Sequence, residues 1–398
     1  MRCCCLRCAS PLAVLPEPNY VWMRIPVCSN NQGHASHAAL ERSLAQSLTL
    51  SAVDQSPMRH GETAGDALRD TVRLAQAAER LGYARYWVAE HHSAGTFAGT
   101  SPEILVGQIL AHTDRIRVGS GGVMLSHYSS LKVAEQFRIL DSFYPGRVDL
   151  GIGRAPGSDQ RTLIALAYPK RPVEVEHFPQ QVADLIGYLH GALQPDHPFV
   201  TIKAQPGALP DSAPEVWLLG SSAYSAGLAA HLGLPFAFAD FFGNTGAHGP
   251  GVAERYRQEF KPSELCPEPR LNVTLQVLCA PTEEEAVYLA TSRNVNRARR
   301  VLEAEGSDHI EGLLPPGEAA TVPLSPRALE HLEEHRGGYH DGDPEQVKAA
   351  IETTAERYGT SDVGIVTITY RLEDRIRSYE LIAEVFGLPG ALGGTEGV

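Results

Sequence analysis

The chain has 398 residues, 43% of them hydrophobic and 20% charged, with 34 Lys and Arg against 47 Asp and Glu for a formal net charge of −13. That make-up suits one large globular domain or two small ones, and a surface of that sign repels phosphodiester backbones, so no nucleic-acid partner is expected. No apolar run is long enough to span a bilayer, so no membrane partner is expected and the expected location is cytoplasmic.

Five of the seven cysteines, Cys3, Cys4, Cys5, Cys8 and Cys28, lie in the first thirty residues, and only Cys266 and Cys279 lie beyond. Cys5 and Cys8 form a C-x-x-C pair with His34 and His37 as the local candidates to complete a zinc site. The segment also lacks hydrophobic periodicity and a secretory pattern, and residues 1–47 are read as a leader outside the fold, with no metal site assigned. Residues 48–390 are expected to form the folded domain and 391–398 a flexible tail.

From Leu48 the chain alternates β-rich runs with helical patterns. Leu48–Val53 reads as a strand; a helix opens at Thr63, keeps apolar Leu68, Val72, Ala75, Ala78 and Leu81 at three-and-four spacing, and ends at Gly82. Strand Tyr86–Ala89 follows, then a helix from the Ser101-Pro102-Glu103 cap to about Thr113. Ile116–Leu125 is a third strand, Leu131–Phe143 a helix and Arg147–Ile152 a fourth strand. Further strands are read at Val216–Leu219, Phe236–Ala239, Leu271–Cys279 and Val363–Thr369. Helices are read at Ser222–His231, from the capping box Asp343-Pro344-Glu345-Gln346 to Tyr358, and at Glu373–Phe386. Eight strands, each followed by helical sequence, predict a parallel sheet: an eight-stranded barrel or a doubly wound open sheet. The stretches 153–172, 243–270 and 303–342 break the beat and read as long loops, which in a barrel would form lid segments at the C-terminal face.

Four clusters at strand ends could carry chemistry. Glu90-His91-His92 follows the second strand; a histidine there can be a general base, a metal ligand or a pocket wall, and adjacent side chains on an extended segment point opposite ways. Gly119-Ser-Gly-Gly-Val-Met-Leu125 offers bare backbone to a flat ligand, or a softened barrel corner. Gly151-Ile-Gly-Arg-Ala-Pro-Gly157 matches neither a Walker loop nor the dinucleotide fingerprint, yet Arg154 suits a phosphate. Gly220-Ser221-Ser222 reads as an anion-binding turn or an ordinary helix cap.

The runs Tyr86-Trp-Val-Ala-Glu-His-His92, Ile116-Arg-Val-Gly-Ser-Gly-Gly-Val-Met-Leu125, Tyr144-Pro-Gly-Arg-Val-Asp-Leu-Gly-Ile-Gly-Arg-Ala-Pro-Gly157 and Pro214-Glu-Val-Trp-Leu-Leu-Gly-Ser-Ser222 resemble, in order and spacing, the bacterial luciferase-like monooxygenase family. The single-chain oxidoreductases of that family are the nearer match. The resemblance implies an α/β fold, a (β/α)8 TIM barrel, binding reduced FMN supplied by a separate flavin reductase. It implies O2 attack to give a flavin C4a-hydroperoxide that oxygenates a small substrate. By similarity, His91 matches the catalytic histidine, with Glu90 its neighbour. Gly121, Gly122 and Met124 lie on the flavin face, where relatives carry a non-proline cis peptide. Arg154, Gly220, Ser221 and Ser222 match the phosphate contacts, with Tyr224 near. A homodimer is implied as well, with the apolar helix Leu131–Phe143 at its interface. The polar segment Tyr339–Asp343 departs from the family pattern. An F420-dependent oxidoreductase and a non-catalytic flavin binder are the alternatives.

Overall fold

In the computed structural model, residues 48–154, 159–207, 212–242 and 245–391 are described. The expected beat is present through the first half: β1 (Thr49–Asp54), α1 (Ala64–Leu81), β2 (Arg85–Val88), α2 (Pro102–Leu110), β3 (Arg117–Met124), α3 (Ser130–Phe143) and β4 (Val148–Gly153). Helices α4 (Gln160–Ala167) and α5 (Phe178–His190) precede β5 (Glu215–Gly220), α6 (Ala223–Leu232), β6 (Phe236–Ala239), α7 (Thr245–Glu259) and β7 (Leu271–Cys279). After α8 (Glu283–Ala304), α9 (Pro316–Ala319) and α10 (Pro326–Arg336), the chain forms β8 (Tyr339–Gly342), α11 (Pro344–Tyr358), β9 (Asp362–Val366) and α12 (Leu372–Phe386). The proposed leader, with its Cys5–Cys8 pair, His34 and His37, lies outside the described residues.

Strands β1 to β7 pair in sequence order, all parallel, and β9 pairs with both β7 and β1 to close an eight-stranded barrel. The protein is a (β/α)8 barrel, and the open-sheet alternative falls. The ninth strand, β8, was expected as loop. It pairs with Gln276–Cys279, the end of β7, where β9 has left that strand after Gln276. A polar run can form a strand there because it needs only a backbone partner and one covered face.

Alternation along the strands sorts residues into two layers. Outward side chains, among them Leu50, Tyr86, Val118, Leu150, Phe236 and Ile365, pack under the helices in the main core. Inward ones split by height. Toward the N-terminal end, Arg85, Arg117, Asp149, Glu215, Arg270 and Asp362 form one ion-pair network. Above it Trp87 donates to Asp149 at 2.9 Å and Trp217 to Glu215 at 3.0 Å, with the two indoles edge to face at 5.4 Å. Burial works to raise the Glu215 pKa, but the Arg270 bond and charge outweigh it and hold the carboxyl at about 2. The bottom of the barrel is therefore plugged by charges and two indoles.

The expected capping box of Asp343 with Gln346 opens α11, and a second one, Thr63 with Asp66, opens α1. Ser101 precedes Pro102 at the helix start as expected, but its side chain makes no capping bond. The predicted loops contain α4, α7, α9 and α10. Helix α4 fully buries none of its side chains; its eight residues are too short a run, with Leu163, Leu166 and Ala167 only half-buried, to stand out from the loop around them. Helix α7 carries Gly246, Gly249, Pro250 and Gly251, poor formers overridden by burial of Val252, Ala253 and Tyr256.

Candidate active site

The C-terminal ends of β1 to β7 ring a cavity of about 300 Å³. A larger groove of about 600 Å³ runs outside the barrel between α1 and α2, lined by Leu68, Val72, Ile104 and Gln108 and by none of the strand-end clusters. Volume favours the groove; chemistry favours the barrel mouth, which gathers Glu90, His91, Gly121, Gly122, Met124, Arg154, Gly220, Ser221 and Ser222. Strand ends converge in a closed barrel, so residues up to 132 positions apart in sequence, Glu90 and Ser222, share one wall.

The floor is bare backbone. The Gly121–Gly122 peptide is cis, as the resemblance implied, and the pairing of β3 with β4 shifts register between Ser120 and Val123. A Cβ at Gly122 would lie 2.8 Å from the Gly151 carbonyl oxygen, and one at Gly151 would lie 2.2 Å from that of Ser120. Two strands approach here more closely than any side chain allows.

His91 lines the cavity, with its ring 4.9 Å from that of Phe97 and its backbone N–H donating to the Gly99 carbonyl at 2.8 Å. Its Nδ1 is buried with no hydrogen-bond partner among the described residues. Burial, reinforced by the adjacent His92, pushes its pKa down to about 4. At neutral pH the imidazole is uncharged and has a ring nitrogen to offer.

Glu90, grouped with His91 as a catalytic candidate, is fully engaged. One carboxylate oxygen accepts from Tyr128 Oη and from His92 Nε2, each at 2.7 Å, and the other accepts from the Met124 N–H at 2.8 Å. It ties the end of β2 to the end of β3, just past the glycine floor. His92 thus does not line the cavity, while His91 does, as the alternation rule anticipates.

Arg154 reaches the rim, its guanidinium 4.4 Å over the Tyr224 ring, and no carboxylate pairs with it among the described residues. Tyr224 does not line the cavity; it is 43% exposed and backs the arginine instead. Ser222 caps α6, accepting from the Ser225 N–H at 3.5 Å, while Ser221 lines the cavity beside it. Sequence reasoning missed Gln55, Phe241, Phe242 and Thr274 on the remaining wall. They carry no motif, but Gln55, Phe241 and Phe242 lie just beyond the C-terminal ends of their strands, a readable placement, whereas Thr274 lies in the middle of β7.

The luciferase-like monooxygenase family model matches residues 46–361. The chain belongs to this family. It is 44% identical to the protein YwcH of Bacillus subtilis (strain 168) over 340 residues, 85% of this chain and 99% of the relative. It is 35% identical to the N-acetyl-S-alkylcysteine monooxygenase of the same strain over 349 residues, 85% and 98% of the two chains. The crystal structure of apo-MsnO8 superposes with a TM-score of 0.76 at 37% identity, over 86% of this chain and 99% of that one. At the level of fold alone, the barrel matches an FMN-bound 3,6-diketocamphane monooxygenase component (TM-score 0.60, 18% identity, 85% and 98% covered) and an F420-dependent secondary alcohol dehydrogenase (0.59, 16%, 87% and 99%). No helix among the described residues is long and apolar enough to cross a membrane.

Proposed function

We propose that this luciferase-like protein is a cytoplasmic monooxygenase that binds reduced FMN, delivered by a separate flavin reductase, and uses O2 to oxygenate a small organic substrate. One observation carries the reading: a single strand-end cavity joins a side-chain-free floor to a guanidinium with no carboxylate partner among the described residues. A flat, uncharged ring system fits the floor at Gly121 and Gly122, against Met124. A phosphate fits the other end, where Arg154, Gly220, Ser221 and Ser222 surround the start of the ten-residue helix α6. The volume of about 300 Å³ is at the low end of the range for cofactor pockets.

The cofactor, when bound, supplies the electrons that activate O2 and carries the oxygen transferred. The chain's own part is threefold. Trp87, Phe241 and Leu219 line the cavity with apolar surface that excludes water. Tyr224 holds the Arg154 guanidinium by stacking. Neutral His91 accepts a proton at a ring nitrogen and returns it, while Glu90 acts as a positioning residue that fixes the floor through Met124.

Titrating the protein separately with FMN, riboflavin and F420 tests the reading. FMN is expected to bind at least tenfold more tightly than riboflavin, because only FMN presents the phosphate. Equal affinities would remove the phosphate site, and preference for F420 would make hydride transfer the reaction. FMN binding without reductase-dependent O2 uptake would mark a non-catalytic binder.

A further inference from the structure

We infer that α10 carries a surface site for a late first-row divalent metal ion, held by His331, Glu334 and His335. One ligand atom from each of the three lies within 4.8 Å of the others. None of them lines the flavin cavity, so the site is separate from the proposed chemistry.

The residues read H-x-x-E-H on a helix, a spacing that puts two imidazoles one turn apart on the same face. Their rings are 4.5 Å apart at 56°. His335 Nδ1 lies 2.8 Å from the His331 carbonyl oxygen. A carbonyl only accepts, so Nδ1 carries the proton and the lone pair is on Nε2. Metal-binding histidines are commonly oriented by a backbone bond of this kind. The Glu334 carboxylate lies 3.9 Å from His331 Nδ1 and is 62% exposed, so its side chain has room to swing. Two atoms each about 2.1 Å from one ion are at most about 4.2 Å apart, a limit that Glu334 and His331 already meet, and closing the 4.8 Å spread takes less than about 1 Å.

The scaffold is anchored. Ser325 caps α10, Pro326 opens it, and Ala328 and Leu332 pack on Ala298 and Leu302 of α8. Two imidazoles and one carboxylate select Zn²⁺, Ni²⁺ or Cu²⁺ over Mg²⁺, which prefers an all-oxygen shell. Three protein ligands leave coordination positions for water.

The test is a calorimetric titration of Zn²⁺ into the full chain at pH 7.5, repeated with His331→Ala, His335→Ala and the double variant. Circular dichroism of each variant verifies that α10 and the barrel remain folded. A parent step of one ion per chain is expected. Either single variant should weaken it at least about tenfold, the double variant should abolish it, and excess Mg²⁺ should leave it unchanged. No such step in the parent would overturn the site. So would a step unaffected by either histidine, which would place the ion elsewhere, for example at Cys5 and Cys8.

Discussion

His91 is the residue at which burial and chemistry meet. If its neutral imidazole moves a proton in the reaction, His91→Ala should lower turnover by roughly 10²–10⁴ while FMN affinity changes little. Steady-state rates and FMN titration of the same preparation measure both. His92→Ala should cost less, because His92 bonds Glu90 and does not line the cavity; an equal loss at position 92 would show the assignment is wrong. The same burial has a pH signature. His91 has a folded pKa of about 4 against an ordinary 6.5, so the unfolded chain binds the extra proton first as pH falls. Stability linked to this group is present above about 6.5 and is lost progressively toward about 4. Melting temperature should therefore drop less steeply across that interval in His91→Gln than in the parent. At the other end of the cavity, Arg154→Ala should weaken FMN by about 2–4 kcal/mol and leave riboflavin nearly unaffected, since only the phosphate contact is lost.

Elements are joined to the barrel by buried polar groups as much as by apolar ones. Asp54, at the end of β1, accepts from Thr71 of α1 at 2.7 Å and from Tyr86 of β2 at 2.7 Å, and pairs with Arg375 of α12. Burial works to raise the Asp54 pKa, but Arg375 outweighs it and holds the carboxyl below its ordinary value. Asp54→Asn leaves the Arg375 charge buried and unpaired, and urea unfolding should register a loss of about 3–5 kcal/mol. Much of this architecture was readable in advance. The strand and helix order of the first half, the Asp343–Gln346 capping box and the strand-end motifs are local patterns, each contained in a few consecutive residues. What escaped notice depends on contacts between distant segments: β8 exists because β7 extends past β9, and α7 because burial of Tyr256 overrides three glycines and a proline. The part played by Glu90 was hidden for the same reason, since its partner Tyr128 is 38 positions away.

The whole chain presents apolar surface on one flank. Ile104 of α2 is 67% exposed, and Ile139 and Phe143 of α3 are 48% and 74% exposed. Val133, Ala134, Phe137 and Leu140, expected at a dimer interface with Ile139, are instead in the core, so α3 can offer a partner only its outer edge. The expected homodimer then rests on the outer surfaces of α1, α2 and α3 together, including the groove lined by Leu68 and Ile104. Sedimentation equilibrium should give twice the 43.0 kDa chain mass, and Ile104→Asp should shift it toward the monomer. A monomeric parent at micromolar concentration would remove the dimer.

The plugged lower half of the barrel also governs traffic. With Arg85, Asp149 and Glu215 locked together beneath Trp87 and Trp217, the described residues close the cavity from below. Whatever settles on the glycine floor is overlain by whatever arrives next. On the proposed function, a cofactor seated on that floor would have to load before the substrate, and pre-steady-state mixing in the two orders of addition should show productive turnover only when FMN is added first.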